Sequence, residues 1–443
     1  MSDSSARHLF SSAPQRAVFQ LSVPILFSLI AEPLTGLVDT AFVSELGSEA
    51  TSGLGAAATI LSSAYWIFGF LAVGTQTEAA NRTGARDSVG VRKVVSAATL
   101  LAASIGVVLL IVGFWIASDA ARWMGTREQT SVEFVRYFHI RCLGYPALLV
   151  SAVAVGALRG QLELKIPLAV AIGVNVLNIA LDAVLIHGAG PIPGYGTSGA
   201  AWASTVSHLV GAIVLLTVLV RRFGFSWGFD RNVIGRILTV GRDMTIRTTA
   251  LSLFLILTTR AANRLGEDAG AAHHAIRQSW TFTALFLDAF AATAQSLVAL
   301  FVGEGSLSQA RRAAKVCTQQ SVAAGFALAA AMLIGEGWIA DLLVPETARE
   351  HFSLAWRVVA LSQPINAVSF ATDGIHWGTS DYPYLRNVTV GVTLASASLL
   401  LVADQSLASI WLVAGAWISG RALFGALRVW PAIGNAPLRP QIR

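Results

Sequence analysis

The chain has 443 residues, of which 54% are hydrophobic and only 13% charged, and its formal net charge is +6. Soluble domains carry roughly a quarter charged residues, so this composition excludes an ordinary soluble protein and indicates a membrane protein. Its two cysteines cannot build a disulfide framework, and its eight histidines show no metal-ligand spacing such as HExxH. We therefore expect no bound metal and no cofactor.

Long apolar stretches recur along the whole chain, and spanning a bilayer takes about 20 mostly apolar residues. Twelve stretches qualify: 16–44, 53–79, 94–117, 131–157, 165–187, 199–220, 235–263, 271–302, 313–340, 352–377, 385–403 and 407–428. The first, seventh, eighth and tenth also carry charged residues. The pattern predicts an all-α polytopic membrane protein with two pseudo-symmetric six-helix lobes. We place the N-lobe at 1–220, a cytoplasmic linker at 221–234 and the C-lobe at 235–443.

Lysine and arginine gather in alternate connections between the predicted helices, for example at 82–93, 221–236 and 311–315. The intervening connections are short or acidic, as at 45–49 and 267–268. By the positive-inside rule the basic connections are cytoplasmic, and both termini then lie inside. The expected location is a bacterial or archaeal-type cytoplasmic (inner) membrane. The positive charge thus reflects topology and predicts no nucleic-acid partner.

Parts of the sequence occur twice. A shift of 219 positions carries Gly84 onto Gly303, and a shift of 218 carries Gly156 onto Gly374 and Pro146 onto Pro364. Duplicated membrane bundles are typical of secondary transporters, which use them for alternating access. The sequence contains no GxxxxGK[ST] loop for a nucleotide. The repeat therefore favours transport that is driven by an ion gradient or runs downhill.

The first predicted span contains two acidic residues, Glu32 and Asp39, and two prolines. Charged side chains within a bilayer are costly and commonly functional, which makes Asp39 a candidate ion-coupling residue. Pro24 and Pro33 each remove a backbone donor, so this helix could bend or straighten when Asp39 changes its charge. Alternatively, Asp39 only caps the helix or reaches the outer membrane surface.

The fifth predicted span carries a second polar pair, Asn178 and Asp182. Residues four apart occupy one helix face. A carboxyl group beside an amide in an apolar helix can hold a proton or a cation. The alternative is a polar pair that only joins two helices.

The acids are not duplicated, because the repeat places Thr258 opposite Asp39 and Leu400 opposite Asp182. An ion site built on them would belong to the first lobe alone. In the second lobe, a possible polar network consists of Arg247, Arg277 and Asp288, and Asp373 and His376 are expected at a cytoplasmic interface. We interpret the network as structural, because arginine does not release its proton in proteins.

Several segments resemble the multidrug and toxic compound extrusion (MATE) family. In the first half these are EPLTGLVDTAFVSELG, GTQTEAANRTGARD and GAAWAST. In the second half, GRDMTIRTTALSLFLILTTRAANRLG and LDAFAATAQSLVALFVGEGSLSQA resemble the DNA-damage-inducible protein F branch of that family. The resemblance covers about residues 16–430.

This resemblance implies roles for individual residues. Asp39 matches the acid of the family's first helix, and Asn178 and Asp182 match the amide and acid of its fifth. Together they resemble a proton or cation site. Either Ser204 or Thr205 matches the hydroxyl of the sixth helix.

The resemblance bears on the coupling ion as well. Pro24 matches the bend of the family's first helix. Another branch of the family places acids in helices seven and ten for sodium. Here the position in helix seven is Arg247, and no acid clearly matches in helix ten. This departure favours protons over sodium.

The sequence therefore predicts a secondary active multidrug efflux transporter, a drug/proton antiporter that exports amphipathic or cationic compounds by alternating access. It would act as a monomer among membrane lipids and would not be an enzyme. Sodium-coupled antiport is one alternative. A flippase for lipid-linked precursors is another, since Arg247 and Arg277 could line its cavity. A membrane enzyme would need a nucleophile–base pair or a metal cluster, and the sequence offers no plausible one.

Overall fold

The computed structural model describes residues 3–126, 128–227, 230–403, 406–431 and 434–439. Almost all of these residues lie in α-helices. The helices of the first half are α1 Asp3–Ser12, α2 Pro14–Ser44, α3 Ser48–Phe68, α4 Phe70–Gly84, α5 Ser88–Trp123, α6 Glu128–Leu143, α7 Tyr145–Gly160, α8 Lys165–Leu185 and α9 Thr197–Phe223. Those of the second half are α10 Arg231–Arg264, α11 Glu267–Gly303, α12 Leu307–Ile334, α13 Glu336–Leu343, α14 Arg349–Gly378, α15 Tyr382–Ala403 and α16 Leu407–Val429.

Two short elements complete the described chain. The strands β1 Gly188–Ala189 and β2 Ile192–Pro193 pair antiparallel in the turn between α8 and α9. A single turn of 3-10 helix, Glu346–Ala348, precedes α14. The chain is therefore a set of long helices joined by short connections.

The predicted spans coincide with these helices, and the predicted fold class is confirmed. Among the described residues, nine helices are long and apolar enough to cross a membrane. The pair Thr130–Leu143 and Tyr145–Gly160, bent by 48°, would be a tenth. The seventh and tenth predicted spans correspond to α10 and α14, which are as long as the others and carry buried charged side chains described below.

The described chain divides into two compact units. Unit 1 is Phe27–Gly241, and unit 2 comprises the described residues up to Leu26 together with those from Arg242 onwards. The division falls within α2 and within α10. The lobe boundaries predicted at residues 220 and 235 stay a prediction.

Each unit has its own apolar core. In unit 1, Leu54 of α3 packs in one cluster with the stacked rings of Phe134 and Phe138 of α6. In unit 2, Phe254 stacks on Trp417 with ring centroids 4.6 Å apart. Trp356 is also buried there, and its indole nitrogen donates to the Met332 carbonyl oxygen at 2.8 Å, so its polar edge is satisfied. These aromatic residues fix the helices of each unit against one another.

Each unit contains a close contact between two of its own helices, and this contact depends on glycine. A Cβ atom at Gly156 of α7 would collide with the carbonyl oxygen of Ala72 in α4. A Cβ at Gly374 of α14 would collide in the same way with Ala291 in α11. Two further contacts of unit 1 have a counterpart in unit 2. The contact of Gly160 with Gln76 corresponds to that of Gly378 with Gln295, and the contact of Gly106 with Pro146 corresponds to that of Gly325 with Pro364. The shifts of 219 and 218 positions found in the sequence thus relate three-dimensional contacts.

The helix ends repeat too. Leu162 and Ser380 follow α7 and α14, and both have a positive φ, +58° and +59°. The next amide groups, of Glu163 and Asp381, each donate to the carbonyl oxygen five residues earlier, at 2.9 Å in both cases. This is the hydrogen bond by which a left-handed residue ends a helix. The duplication therefore extends to individual backbone hydrogen bonds.

The side chain of Asp381 ties the loop after α14 to α16. Arg428 Nε donates to its Oδ2 at 2.9 Å, and His376 Nδ1 lies 3.5 Å from the same oxygen. Burial alone raises the pKa of Asp381, but the hydrogen bonds from His376 and Arg428 outweigh burial and hold the pKa below its ordinary value. The folded state therefore favours the ionised carboxylate.

We expect the alanine variants Gly156→Ala and Gly374→Ala to lose about 1–3 kcal/mol of unfolding free energy, because each adds a methyl group where two backbones touch. Thermal unfolding in detergent would measure the loss. Gly391→Ala is the matched control, since its Cβ would meet nothing within 4 Å. Unchanged unfolding of both variants would contradict the close contact.

We expect Asp381→Asn to destabilise the protein at neutral pH and to have a smaller effect in acid. A carboxyl group with a lowered folded pKa stabilises the protein above its unfolded pKa of about 3.9. This contribution disappears as the pH falls through the folded pKa. Melting temperatures of wild type and variant, measured from pH 7 downwards, should therefore converge at low pH. A constant difference across that range would contradict the assignment.

Candidate functional site

Three helices of unit 1 bring the predicted ion-coupling residues together. Asp39 comes from α2, Asn178 and Asp182 from α8, and Ser204 from α9. All four side chains are buried, with exposed fractions of 6%, 1%, 0% and 2% respectively. The helical spacing of four places Asn178 and Asp182 on one face of α8, as predicted.

Hydrogen bonds connect this cluster. Ser204 Oγ donates to Asp39 Oδ2 at 2.9 Å. With the Asn178 amide rotated so that both of its ends are paired, its nitrogen donates to Asp39 Oδ1 at 3.0 Å. Its oxygen then accepts from the Ser204 backbone N–H at 3.2 Å. Asp39 therefore receives one hydrogen bond on each carboxyl oxygen.

The two carboxyl groups also lie close enough to interact electrostatically. Ionised carboxylates have acceptors only, so a proton on one of the two groups would let it donate to the other. Asp182 Oδ1 has no hydrogen-bond partner among the described residues. The pair can thus hold one proton between its members and offers a further oxygen to another proton or a cation.

A cation lies near this pair. Arg141 of α6 is half-buried, and its charge acts on both Asp39 and Asp182. The buried Tyr137 lies four residues earlier on the same helix, near Arg141. Neither residue was predicted from the sequence, although an arginine inside the fourth predicted span was a signal. With one shared proton, the two carboxyl groups and the guanidinium group sum to zero charge.

The structure distinguishes Ser204 from Thr205. The Thr205 hydroxyl donates to the Ile140 carbonyl oxygen at 3.2 Å and takes no part in the hydrogen bonds of the acidic pair. Pro24 is half-buried and Pro33 exposed, and α2 is helical through both. A bend of this helix during function stays a prediction.

The equivalent positions of unit 2 carry no acid. Thr258 and Leu400 are buried there, and the Thr258 hydroxyl donates to the carbonyl oxygen of Leu255 in its own helix at 2.9 Å. The acidic pair therefore belongs to unit 1.

Unit 2 instead contains a buried carboxylate between two guanidinium groups. Arg247 of α10 and Arg421 of α16 both donate to Asp373 Oδ2, the latter at 2.8 Å. The sequence predicted Asp373 and His376 at a cytoplasmic interface, and this position relative to a membrane stays a prediction. Within the protein both side chains are buried, with exposed fractions of 4% and 1%, and Asp373 accepts a hydrogen bond from Arg247. The sequence pattern did not indicate this contact.

Arg277 does not join Arg247. Its Nη1 donates to the Thr259 hydroxyl at 3.2 Å. Thr259 lies twelve residues after Arg247 on α10, which corresponds to about 18 Å along the helix. Arg247 and Arg277 therefore belong to separate sites, which corrects that part of the predicted network. Asp288 is half-buried on α11, and its place in the network stays a prediction.

The MatE family profile matches residues 24–184 and 244–400, most of both halves. The chain belongs to the MatE family. This is the family of multidrug and toxic compound extrusion transporters, so the resemblance read from the sequence is confirmed. The chain is accordingly a multi-pass membrane protein of a multidrug efflux transporter family.

Relatives are similar over nearly the full length. DNA damage-inducible protein F of Escherichia coli strain K12 is 29% identical over 448 residues, which cover 97% of this chain and 92% of that protein. Protein DETOXIFICATION 44, chloroplastic, of Arabidopsis thaliana is 29% identical and covers 96% and 85%. The probable multidrug resistance protein NorM of Deinococcus radiodurans is 25% identical and covers 96% and 98%.

Solved structures agree on the fold. A MATE crystal structure in the bent conformation has a TM-score of 0.88 at 20% identity and covers 98% of this chain and 99% of its own. An outward-facing multidrug resistance MATE family transporter of the MOP superfamily has a TM-score of 0.84 at 20% identity, with 94% and 96% covered. At these identities the likeness concerns the fold alone.

We expect infrared spectroscopy at neutral pH to detect a protonated carboxyl group that disappears in Asp182→Asn, because two ionised carboxylates that interact in one buried site repel each other and a shared proton removes that repulsion. Asp119→Asn is the control, since that carboxylate is 69% exposed and pairs with Arg122. If the protonated band of the wild type were absent, or were unchanged in Asp182→Asn, the shared proton would be refuted.

Proposed function

We propose that this protein is a secondary active multidrug exporter that exchanges protons for amphipathic or cationic small molecules. The observation that carries the proposal is the pair of buried, interacting carboxyl groups of Asp39 and Asp182 on two different helices. Such a pair can take up and release protons in the interior of the protein. Family membership supplies the class of transport, and the pair supplies the coupling.

The charge of the cluster follows its proton count. Without a proton, two carboxylates and Arg141 leave one net negative charge. One proton makes the cluster neutral, and two protons make it positive. Charge that is not compensated is costly in a buried site, so each step changes which arrangement of the helices is favoured. Proton binding therefore changes the preferred position of α2 relative to α8 and α9. These three helices carry the hydrogen-bonded residues of the cluster.

Exchange follows from reciprocity. If a substrate binds better to the protein with fewer protons on the pair, then proton binding weakens substrate binding by the same factor. Protons that enter from outside would thus release a substrate to that side. The rearrangement of α2 would use Pro24 and Pro33, which weaken its backbone hydrogen bonds. Alternating access between two states completes the cycle.

Sodium coupling is a second candidate, favoured by the unpaired Asp182 Oδ1 and by the oxygen atoms of Ser204 and Asn178 at the neighbouring Asp39. Sodium is a hard cation that prefers oxygen ligands, as calcium and magnesium do. A sodium site at Asp373 would have to displace two guanidinium groups. A sodium site would therefore lie in unit 1, as the proposed proton site does.

Other aspects follow from the sequence pattern. We place the protein in a cytoplasmic (inner) membrane with both termini in the cytoplasm, acting as a monomer surrounded by lipids. The flippase alternative loses part of its support, because Arg247 is buried against Asp373. Arg277 lines an open groove, so this part of the support for a flippase remains.

The test is efflux of ethidium from proteoliposomes under an imposed pH gradient, with and without a sodium gradient. We expect proton-driven efflux by the wild type and by Asp119→Asn, and background efflux by Asp39→Asn and Asp182→Asn. Each neutral variant removes a titrating group while keeping its volume. Wild-type rates in both neutral variants would refute the mechanism, and efflux driven by sodium alone would replace the proton with sodium.

A further inference from the structure

A basic groove lies on unit 2 near the connection between α10 and α11. Its volume is about 460 Å³. The lining residues are Ile256, Thr259, Arg260, Asn263, Arg264 and Arg277. All but Arg277 belong to the last turns of α10, and Arg277 belongs to α11. The groove is therefore built by two consecutive helices of one unit.

The arginines of the groove have no carboxylate partner among the described residues. Elsewhere in unit 2, buried guanidinium groups pair with acids, as Arg247 and Arg421 do with Asp373. Acids do begin α11, at Glu267 and Asp268, but Asp268 accepts a hydrogen bond from the Thr347 hydroxyl at 2.6 Å. Three positive charges thus line one groove, and none of them forms an ion pair within the described part of the chain.

The groove also extends into the membrane-spanning part of the helices. Arg264 ends α10 and Glu267 begins α11. Arg277 lies ten residues after Glu267, about 15 Å along the helix. Charged side chains at such depth are costly, which is why they commonly mark binding sites and transport paths. The positive-inside rule concerns arginines in the connections between spans, and it would not explain Arg277, which lies within a span.

One of the three guanidinium groups is held in place. Arg277 Nη1 donates to Thr259 Oγ1 at 3.2 Å, and the Thr259 hydroxyl in turn donates to the Leu255 carbonyl oxygen at 2.9 Å. An arginine has five N–H donors. Its remaining donors are therefore available to a ligand in a fixed orientation, as two-oxygen recognition of phosphate or carboxylate requires.

Apolar surface continues from the basic groove along α10. Leu253 and Ile256 are 48% and 60% exposed. Ile256 lies four residues before Arg260 and Leu253 seven residues before it, which places them on the same helix face. A ligand that fills this face would have a charged head and an apolar chain.

We propose that this groove binds the oxyanion group of an anionic amphiphile. Arg260, Arg264 and Arg277 hold the phosphate or carboxylate oxygens, and the apolar chain lies over Ile256 and Leu253. The same chemistry occurs in the headgroup of an anionic membrane lipid and in a free amphiphilic solute. This site is separate from the acidic pair, and equilibrium binding to it does not depend on proton coupling.

The experiment measures binding of two probes to the purified full-length protein in a neutral detergent. One probe is phosphatidylglycerol, counted as bound lipid by native mass spectrometry with phosphatidylcholine as the uncharged reference. The other is radiolabelled dodecyl phosphate. The variant replaces the three arginines together, Arg260→Gln, Arg264→Gln and Arg277→Gln. The control is Arg349→Gln, an exposed arginine of unit 2 that pairs with Asp341.

We expect the triple variant to bind the probe at least about tenfold more weakly than the wild type, because it loses the charge-assisted hydrogen bonds to the oxyanion. Arg349→Gln should bind as the wild type does. A loss for phosphatidylglycerol alone assigns the groove to a membrane lipid, and a loss for dodecyl phosphate alone assigns it to a free amphiphile. Single Arg264→Gln protein, which changes only an exposed side chain at the helix end, should show a smaller loss of the same kind.

The proposal is overturned if wild type and triple variant bind both probes equally, or if phosphatidylcholine binds as well as phosphatidylglycerol and dodecyl phosphate is not retained. Unfolding temperatures of all variants are measured alongside. If the triple variant did not fold, the single variant would decide the outcome by the same criteria.

Discussion

Close contact between helix backbones at a few glycines is the constraint on which both units depend. Where Gly156 meets Ala72, and where Gly374 meets Ala291, there is no room for a side chain. Small residues allow helices in membranes to approach until van der Waals packing and backbone contacts hold them together. Because each unit uses the same contacts at corresponding positions, the two units have the same framework. Their differences in polar chemistry are built on this common framework.

Those differences give the buried polar clusters of the two units different ratios of acidic to basic groups. In unit 1, Asp39 and Asp182 share a site with one guanidinium group, Arg141. In unit 2, Asp373 shares its site with two, and three further arginines line a groove without acids among the described residues. Even a corresponding contact has changed its chemistry. Arg159 Nη2 donates to Ser28 Oγ at 2.7 Å in unit 1, whereas the corresponding partners in unit 2 are Trp377 and Arg247, whose guanidinium lies over the ring. Duplication preserved the helices, and substitution gave each unit its own chemistry.

The sequence was sufficient for the fold and for most of the acidic cluster. Apolar length, the repeat and the helical spacing of Asn178 and Asp182 are local properties, which a one-dimensional pattern records. It could not decide between Ser204 and Thr205, because adjacent residues differ in direction by the rotation of the helix and only the packing shows which one meets Asp39. It missed Arg141, and it missed the arginine partners of Asp373, for a related reason. Their partners come from helices that are distant in the sequence, so the compensation of their charge is visible only in three dimensions.

Under the proposed proton coupling, the distribution of buried acids assigns the response to a proton gradient to unit 1. Among the described residues of unit 2, the buried carboxylates Asp243 and Asp373 each pair with two guanidinium groups. Asp39 and Asp182 lie in the opposite situation, because two carboxyl groups share one site with a single nearby guanidinium group, that of Arg141. In the two roles proposed above, the charges of unit 1 and of unit 2 therefore serve different purposes. A proton cycle needs the acidic pair, whereas arginines that keep their charge throughout the cycle are suited to holding a negatively charged ligand.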